Sequence, residues 1–162
     1  MSGTPGTDAN AFRRLMSRWP TGVAVVTTRH GTTDYGLTVN GLFSVSLNPP
    51  SLLVSLADDA DSGPAVAKSR IFIANFLTAQ QQPISERFAL SLAPEEKFRD
   101  LPLHRGVTGA AILDGSLGAL ECRVVSEFHV SDHRLFVGEV VAQELGVDSA
   151  PLVFHRSRYT AL

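Results

Sequence analysis

Few side chains in this sequence have the chemistry of a nucleophile or a metal ligand, and their surroundings favour neither role. Cys122 is the single cysteine and alternates with apolar residues, a pattern typical of a thiol packed within a strand. His129 and His133 lie four residues apart, with Asp132 beside the second. That spacing suits a metal ion on a helix, but here it spans a strand end and a turn, so we predict no metal site.

Two other stretches could hold a ligand through their main chain. Residues 57–61 form a polar loop with three aspartates, and Ser62, Gly63 and Pro64 after it are typical of a helix start. Free N–H groups at a helix start bind anions, whereas aspartates that point the same way would repel them. Residues 38–41 end in Asn-Gly, a common turn pair, so a strand followed by a turn is the simplest interpretation.

The chain that must position these residues begins with one helix and continues mostly as strands. Asp8 can cap the helix, Pro20 ends it, and its apolar face holds Phe12, Leu15, Met16 and Trp19. Alternating and β-branched patterns predict strands at 22–28, 35–39, 42–47, 51–56, 71–77, 117–128, 135–145 and 152–158. Prolines predict helical pieces that begin at 64, 83 and 94, and turn residues predict loops at 29–34, 114–115 and 131–134.

The order of these elements predicts a mainly β protein. Strands follow one another with few intervening helices, which excludes a parallel α/β sheet because such a sheet needs a helix at nearly every crossover. About seven strands in one small domain favour an antiparallel barrel with short helices at its ends. We predict a flexible tail over residues 1–9 and a single domain over residues 10–162.

Composition narrows the possible functions. Of the 162 residues, 44% are apolar and 19% are charged, with a formal net charge of −2, as expected of a globular chain. No basic run could track a nucleic acid, and no apolar run reaches the roughly 18 residues of a membrane helix. One cysteine and an N-terminus without signal-peptide order predict a cytoplasmic location. The G-x-G-x-x-G, P-loop and G-x-S-x-G motifs are absent, so no standard dinucleotide-binding fold is indicated.

Four stretches of the chain carry a resemblance to a known family. They are residues 12–28 (FRRLM and WPTGVAVVTT), residues 36–50 (GLTVNGLFSVSLNPP), residues 72–89 (FIANFL, a glutamine and RFA) and residues 120–159 (LECRV, Asp-His, FVGEV and Arg-Tyr). In this order the chain resembles the short-chain flavin reductase family, the reductase components of two-component flavin-dependent monooxygenases.

The resemblance implies a split β-barrel of Greek-key type that binds flavin across a homodimer interface. It also implies reduction of FMN or FAD by NADH or NADPH, and delivery of the reduced flavin to a separate monooxygenase. The alternative is a non-catalytic flavin-binding protein, or a split-barrel relative that binds deazaflavin.

The resemblance further implies which residues contact the cofactors. The backbone of residues 38–41 would lie along the isoalloxazine ring, and Gly41 stands where the family usually has Ser. Ser62 and Lys97 would face the flavin phosphate. His133, the candidate catalytic residue, would bond the nicotinamide carboxamide, with Ser131 in place of the family's usual Gly. The candidate cofactor-binding residues are Leu37, Thr38, Val39, Asn40, Gly41, Ser55, Leu56, Ala57, Asp61, Ser62, Asn75, Phe76, Leu77, Lys97 and Phe98.

Overall fold

The computed structural model describes residues 7–162, and these residues form short helices around an extensive set of strands. The helices are α1 (Ala9–Met16), α2 (Ser62–Ser69), α3 (Gln82–Ala89) and α4 (Pro94–Phe98), with a 3-10 turn at Ala79–Gln81. The strands are β1 (Thr21–Gly22), β2 (Ala24–His30), β3 (Thr33–Val39), β4 (Leu42–Leu47), β5 (Pro50–Ala57), β6 (Ile71–Phe76), β7 (Leu103–Arg105), β8 (Ala111–Leu113), β9 (Gly118–Val130), β10 (His133–Leu145), β11 (Leu152–His155) and β12 (Arg158–Ala161). None of these helices has the length and apolar character that crossing a bilayer requires.

The first helix begins as its sequence pattern predicts, but it ends at Met16, before the predicted stop at Pro20, so Trp19 lies beyond it. The Asp8 carboxylate accepts hydrogen bonds from the N–H groups of Asn10 and Ala11 at 3.1 and 3.2 Å, which satisfies two donors that the helix itself leaves free. The helix already starts at Ala9, the last residue of the predicted tail, and residues 1–6 of that tail lie outside the described residues. The division into a tail and one domain stays a prediction.

Seven strands form one antiparallel sheet in the order β3-β2-β6-β9-β10-β5-β4, so β3 and β4 are its edge strands. They are consecutive in the chain, and the bend between them is held to β5 by a hydrogen bond from Ser55 N to Gly41 O at 2.9 Å. This bond extends the β4–β5 ladder into the bend, and the bend itself joins the two edges of the sheet and closes part of the barrel. The predicted mainly β antiparallel fold is confirmed. The sheet stays open beyond this bond, between the rest of β3 and the end of β5.

One predicted strand and several turns differ from the structure. Residues 152–158 form two strands, β11 and β12, because Arg156 and Ser157 take positive φ angles of 51° and 59° and reverse the chain. The β2–β3 turn is two residues long, since His30 pairs with Thr33. The β9–β10 turn is also shorter than predicted, because His133 pairs with Val130. Strand β7 was not predicted.

The core explains two features of the sequence. Cys122 is fully buried inside the barrel beside Phe72, and burial raises the pKa of its thiol to about 12, which confirms the predicted packed cysteine. On the other side of the sheet, the ring of Phe88 from α3 packs directly on Gly36 of β3. A Cβ at Gly36 would overlap that ring, so only glycine lets α3 lie this close to the strand.

Candidate functional site

The open edge of β3 is the central feature of the candidate site. This strand pairs on one side only, with β2. Lys97 Nζ donates to Gly36 O at 3.1 Å, so the main-chain groups of Gly36 face away from β2. Because backbone groups of alternate residues in an antiparallel pair face the same side, those of Thr38 face the open side too. The Thr38 hydroxyl donates to Ser85 O at 2.6 Å and anchors the strand to α3.

Three cavities lie along this edge. The lysine cavity, of about 500 Å³, is lined by Tyr35, Gly36, Leu37, Ala57, Asp59, Ala60, Asp61, Ser62, residues 89–94 and Lys97. The small cavity, of about 170 Å³, is lined by Val23, Thr38, Val39, Asn40, Phe154 and Tyr159. The apolar cavity, of about 400 Å³, is lined by residues 19–24, Asn40, Leu42, Phe76, Leu77, Leu117, Pro151 and Leu152. Residues 35–40, in β3 and the bend after it, therefore border the three cavities one after another, and we call this row of cavities the groove.

Lys97 supplies the positive charge at one end of this groove. Its side chain is only 8% exposed, and its Nζ donates to the carbonyls of Gly36 and Phe88 at 3.1 and 3.3 Å. Burial lowers the pKa of Lys97, while nearby Asp61 acts to raise it. An ammonium group has three donors, so one is left for a ligand. With Ser62 at the start of α2 lining the same cavity, this end of the groove suits an anion.

The three aspartates of the loop do not act alike. The Asp58 carboxylate accepts from His129 Nε2 at 2.6 Å and from Arg134 Nε at 3.1 Å, and the bond from His129 holds its pKa below the ordinary value. Asp58 is thereby tied to the β9–β10 hairpin. Asp59 and Asp61 line the lysine cavity instead. The sequence did not decide whether these aspartates face solvent or a ligand. In the structure Asp58 is bound to the hairpin, and Asp59 and Asp61 face the lysine cavity.

His133 lies at the tip of the β9–β10 hairpin. It pairs with Ala57 of β5 in the sheet register, so the sheet brings it to the base of the acidic loop. Its Nδ1 donates to Asp132 Oδ1 at 2.8 Å, and this bond lowers the pKa of Asp132. The half-buried imidazole does not line any of the three cavities. Its predicted contact with a nicotinamide stays a prediction.

Most of the predicted cofactor-binding residues meet in the groove, and some do not. Leu37, Ala57, Asp61, Ser62 and Lys97 line the lysine cavity, Thr38, Val39 and Asn40 line the small cavity, and Asn40, Phe76 and Leu77 line the apolar cavity. Gly41 lies in the bend and Ser55 lies opposite it on β5. A Cβ at Gly41 would lie 3.2 Å from Ser55 Cβ, so a side chain at this position would require Ser55 to shift slightly.

Three predicted site residues have side chains that serve the core instead. Leu56 is fully buried in the barrel interior. Asn75 is also fully buried, and its amide group bonds to Val25 O, Thr27 Oγ1 and Leu113 N at 3.1, 3.2 and 2.9 Å. Phe98 packs edge-on against the Phe88 ring, with 5.0 Å between ring centroids. These side chains support the elements that border the groove, and the predicted cofactor contacts of the three residues stay a prediction.

Sequence reasoning missed several residues that the structure places in the groove. Tyr35 and Asp59 line the lysine cavity, and Trp19 and Thr21 line the apolar cavity. Within residues 7–162, Thr21 Oγ1 is buried without a hydrogen-bond partner, which marks a place where a polar ligand atom would be favourable. The one signal in the sequence for these residues was the place of Tyr35, directly before Gly36 at the start of the predicted strand 35–39.

Comparisons with known proteins find flavin reductases among the chains that are similar to this one. A family model described as the flavin reductase like domain matches residues 16–162. The reductase component of an FADH(2)-dependent resorcinol hydroxylase from Rhizobium sp. is 34% identical over 93% of this chain and 85% of its own. An NADH-dependent FMN reductase from Streptomyces nodosus is 37% identical over 93% of this chain and 83% of its own. The structure of an NADH:FAD oxidoreductase from Streptomyces globisporus is 28% identical and superimposes with a TM-score of 0.90 over 100% of this chain and 98% of that one.

Proposed function

Since this chain belongs to the flavin reductase like domain family, we propose that it transfers hydride from NADH or NADPH to FMN or FAD in the groove along the free edge of β3. The reduced flavin then passes to a separate flavin-dependent monooxygenase, the role that the names of several relatives describe. We also propose that the protein is cytoplasmic, as the sequence predicts.

The observation that carries the proposal is the match between the two ends of the groove and the two ends of a flavin. A flavin joins a flat, largely apolar ring with one polar edge to an anionic phosphate tail. The groove has an apolar cavity at one end and Lys97 with the start of α2 at the other. Between them, residues 35–40, in β3 and the bend after it, span about 17 Å, at roughly 3.3 Å per residue. The buried Thr21 hydroxyl without a partner lies at the ring end.

The flavin, when bound, supplies the redox chemistry, and the protein supplies position and charge. Lys97 and Ser62 at the start of α2 hold the phosphate. The outward main-chain groups of Thr38 and Asn40 face the polar edge of the ring, where fixed donors stabilise negative charge as it develops. Hydride transfer needs the two reacting atoms about 3–3.5 Å apart, so the nicotinamide must stack on the flavin ring. His133 pairs with Ala57 beside the phosphate end of the groove in its own subunit, and its bond to the nicotinamide carboxamide stays a prediction.

Exposed apolar side chains support a homodimer. Phe12 and Trp19 beside α1 are 66% and 69% exposed, and Phe43 and Leu47 on edge strand β4 are 67% and 88% exposed. Large apolar residues clustered on a helix face and an edge strand are typical of an association surface. Trp19 also lines the apolar cavity, so a second subunit on this surface would cover the ring end of the groove.

The test is a reductase assay with purified protein, both nucleotides and both flavins, following loss of the nicotinamide absorbance band. We expect turnover in at least one of the four combinations, and chromatography with light scattering should give the mass of a dimer. Flavin binding without oxidation of either nucleotide would identify a non-catalytic flavin-binding protein and refute the proposal.

A further inference from the structure

The groove does not end at the phosphate position. A fourth cavity of about 360 Å³, the side cavity, adjoins the lysine cavity and shares Tyr35, Asp61 and Pro94 with it. Its wall continues along α2 to Lys68 and reaches His30 at the end of β2. A ligand that enters the groove with its phosphate beside Lys97 therefore has room to continue past it.

The side chains around the side cavity suit one half of a dinucleotide. Tyr35 presents an aromatic ring and Pro94 a flat apolar surface, which together suit a stacked base. Lys68 offers an exposed cation for a second phosphate group. Asp61 precedes α2, but its side chain makes no capping hydrogen bond to that helix, so its oxygens are available as acceptors. A carboxylate is the group that commonly binds ribose hydroxyls in nucleotide sites.

We propose that the side cavity holds the adenylate half of FAD, and that this chain therefore binds FAD more tightly than FMN. The inference rests on the proposed function and specifies its flavin. FMN ends in a phosphate monoester, and such a group carries about −1.5 to −2 charges at neutral pH, beside Asp59 and Asp61 on the cavity wall. FAD has a diphosphate bridge whose two phosphates carry one charge each, spread from Lys97 towards Lys68, and its ribose hydroxyls can donate to Asp61.

An adenylate group also occurs in NADH and NADPH, so the test measures flavin binding with no nucleotide present. Quenching of flavin fluorescence gives the dissociation constants of FAD and FMN for the full chain. We expect FAD to bind about tenfold more tightly than FMN, a difference of roughly 1.4 kcal/mol. AMP should compete with FAD and not with FMN.

Two variants test whether the side cavity causes the preference for FAD over FMN. Lys68→Ala should weaken FAD binding about fivefold and leave FMN binding within about twofold, as expected for one exposed ionic contact. Arg123→Ala removes an exposed cation on β9, away from the groove, and should change neither constant. Lys68 is exposed, so loss of folding is not expected to obscure its result.

The outcomes separate this inference from the proposed function. Equal affinity for both flavins, or equal weakening of both by Lys68→Ala, would overturn the adenylate assignment while leaving the reductase activity intact. If Lys68→Ala raises the KM for NADH and leaves FAD binding unchanged, the side cavity binds the nicotinamide dinucleotide and the inference is wrong. Failure of the proposed function would instead appear as an absence of turnover with every flavin.

Discussion

Replacing Lys97 with methionine tests the anion-binding end of the groove most directly. Methionine keeps the length and apolar character of the side chain but removes the charge and the three donors. The structure commits two of those donors to Gly36 O and Phe88 O, which leaves one for a flavin phosphate. A hydrogen bond to a charged group contributes about 1.5–3 kcal/mol, and the burial of Lys97 limits screening by solvent. Taking about 2 kcal/mol, we expect Lys97→Met to weaken FMN and FAD binding about thirtyfold.

Riboflavin is the matched control ligand, because it has the ring and the ribityl chain but no phosphate. Its dissociation constant, measured by fluorescence quenching, should change less than about twofold in Lys97→Met. Equal weakening of all three flavins would mean that Lys97 supports the strand and α3 rather than the phosphate. Unchanged binding of FMN and FAD would refute the assignment of this cavity to the phosphate.

The lowered pKa of Lys97 adds a dependence on pH. Its folded pKa lies below the unfolded value of 10.5, so between the two values the unfolded chain binds more protons and stability rises with pH. The cost of holding Lys97 charged in the folded protein is therefore present below its folded pKa and is relieved as pH rises towards 10.5. Phosphate binding needs the charged form, so flavin affinity should fall over the same alkaline range. Lys97→Met should flatten that part of the affinity profile.

Three further predictions concern the surroundings of the groove. His133→Ala should lower turnover with NADH or NADPH while flavin binding is kept; unchanged steady-state kinetics would leave His133 as an exposed residue at a hairpin tip. Asp61→Ala should tighten FMN binding a few-fold, whereas Asp58→Ala should not, because the Asp58 carboxylate is tied to the hairpin; equal effects in titrations would contradict the described loop. Gly36→Ala should lower the free energy of unfolding by about 1–3 kcal/mol, since the added methyl group overlaps the Phe88 ring; an unchanged urea denaturation midpoint would refute that packing.

Local patterns in the sequence were sufficient for most of the secondary structure. Asp8 and the apolar spacing after it predicted α1, and the prolines at 83 and 94 lie in the first turns of α3 and α4. These signals act within a few residues, because capping and proline geometry depend only on the neighbouring backbone. The division of residues 152–158 into β11 and β12 had no such signal, since Arg156 and Ser157 take left-handed conformations that usually favour Gly or Asn.

The site was only partly accessible from the sequence. The family resemblance predicted residues 37–41, the loop residues and Lys97 as cofactor-binding residues. The structure places most of them along the groove. It could not reveal that Leu56 and Asn75 point into the core, since the direction of a side chain in a strand depends on which face of the sheet is covered.

What the sequence by itself determined about this protein is its alternation of strands, its capped first helix and its family. Only the tertiary structure decided which residues share a cavity. Asp58 is turned from the groove by His129 and Arg134, which follow it by more than 70 residues in the chain. Lys97 faces the groove because its ammonium group donates to Gly36 O on the free edge of β3. Such contacts join segments distant in sequence. Which side chains face the groove therefore depends on strand order and packing and not on any local pattern.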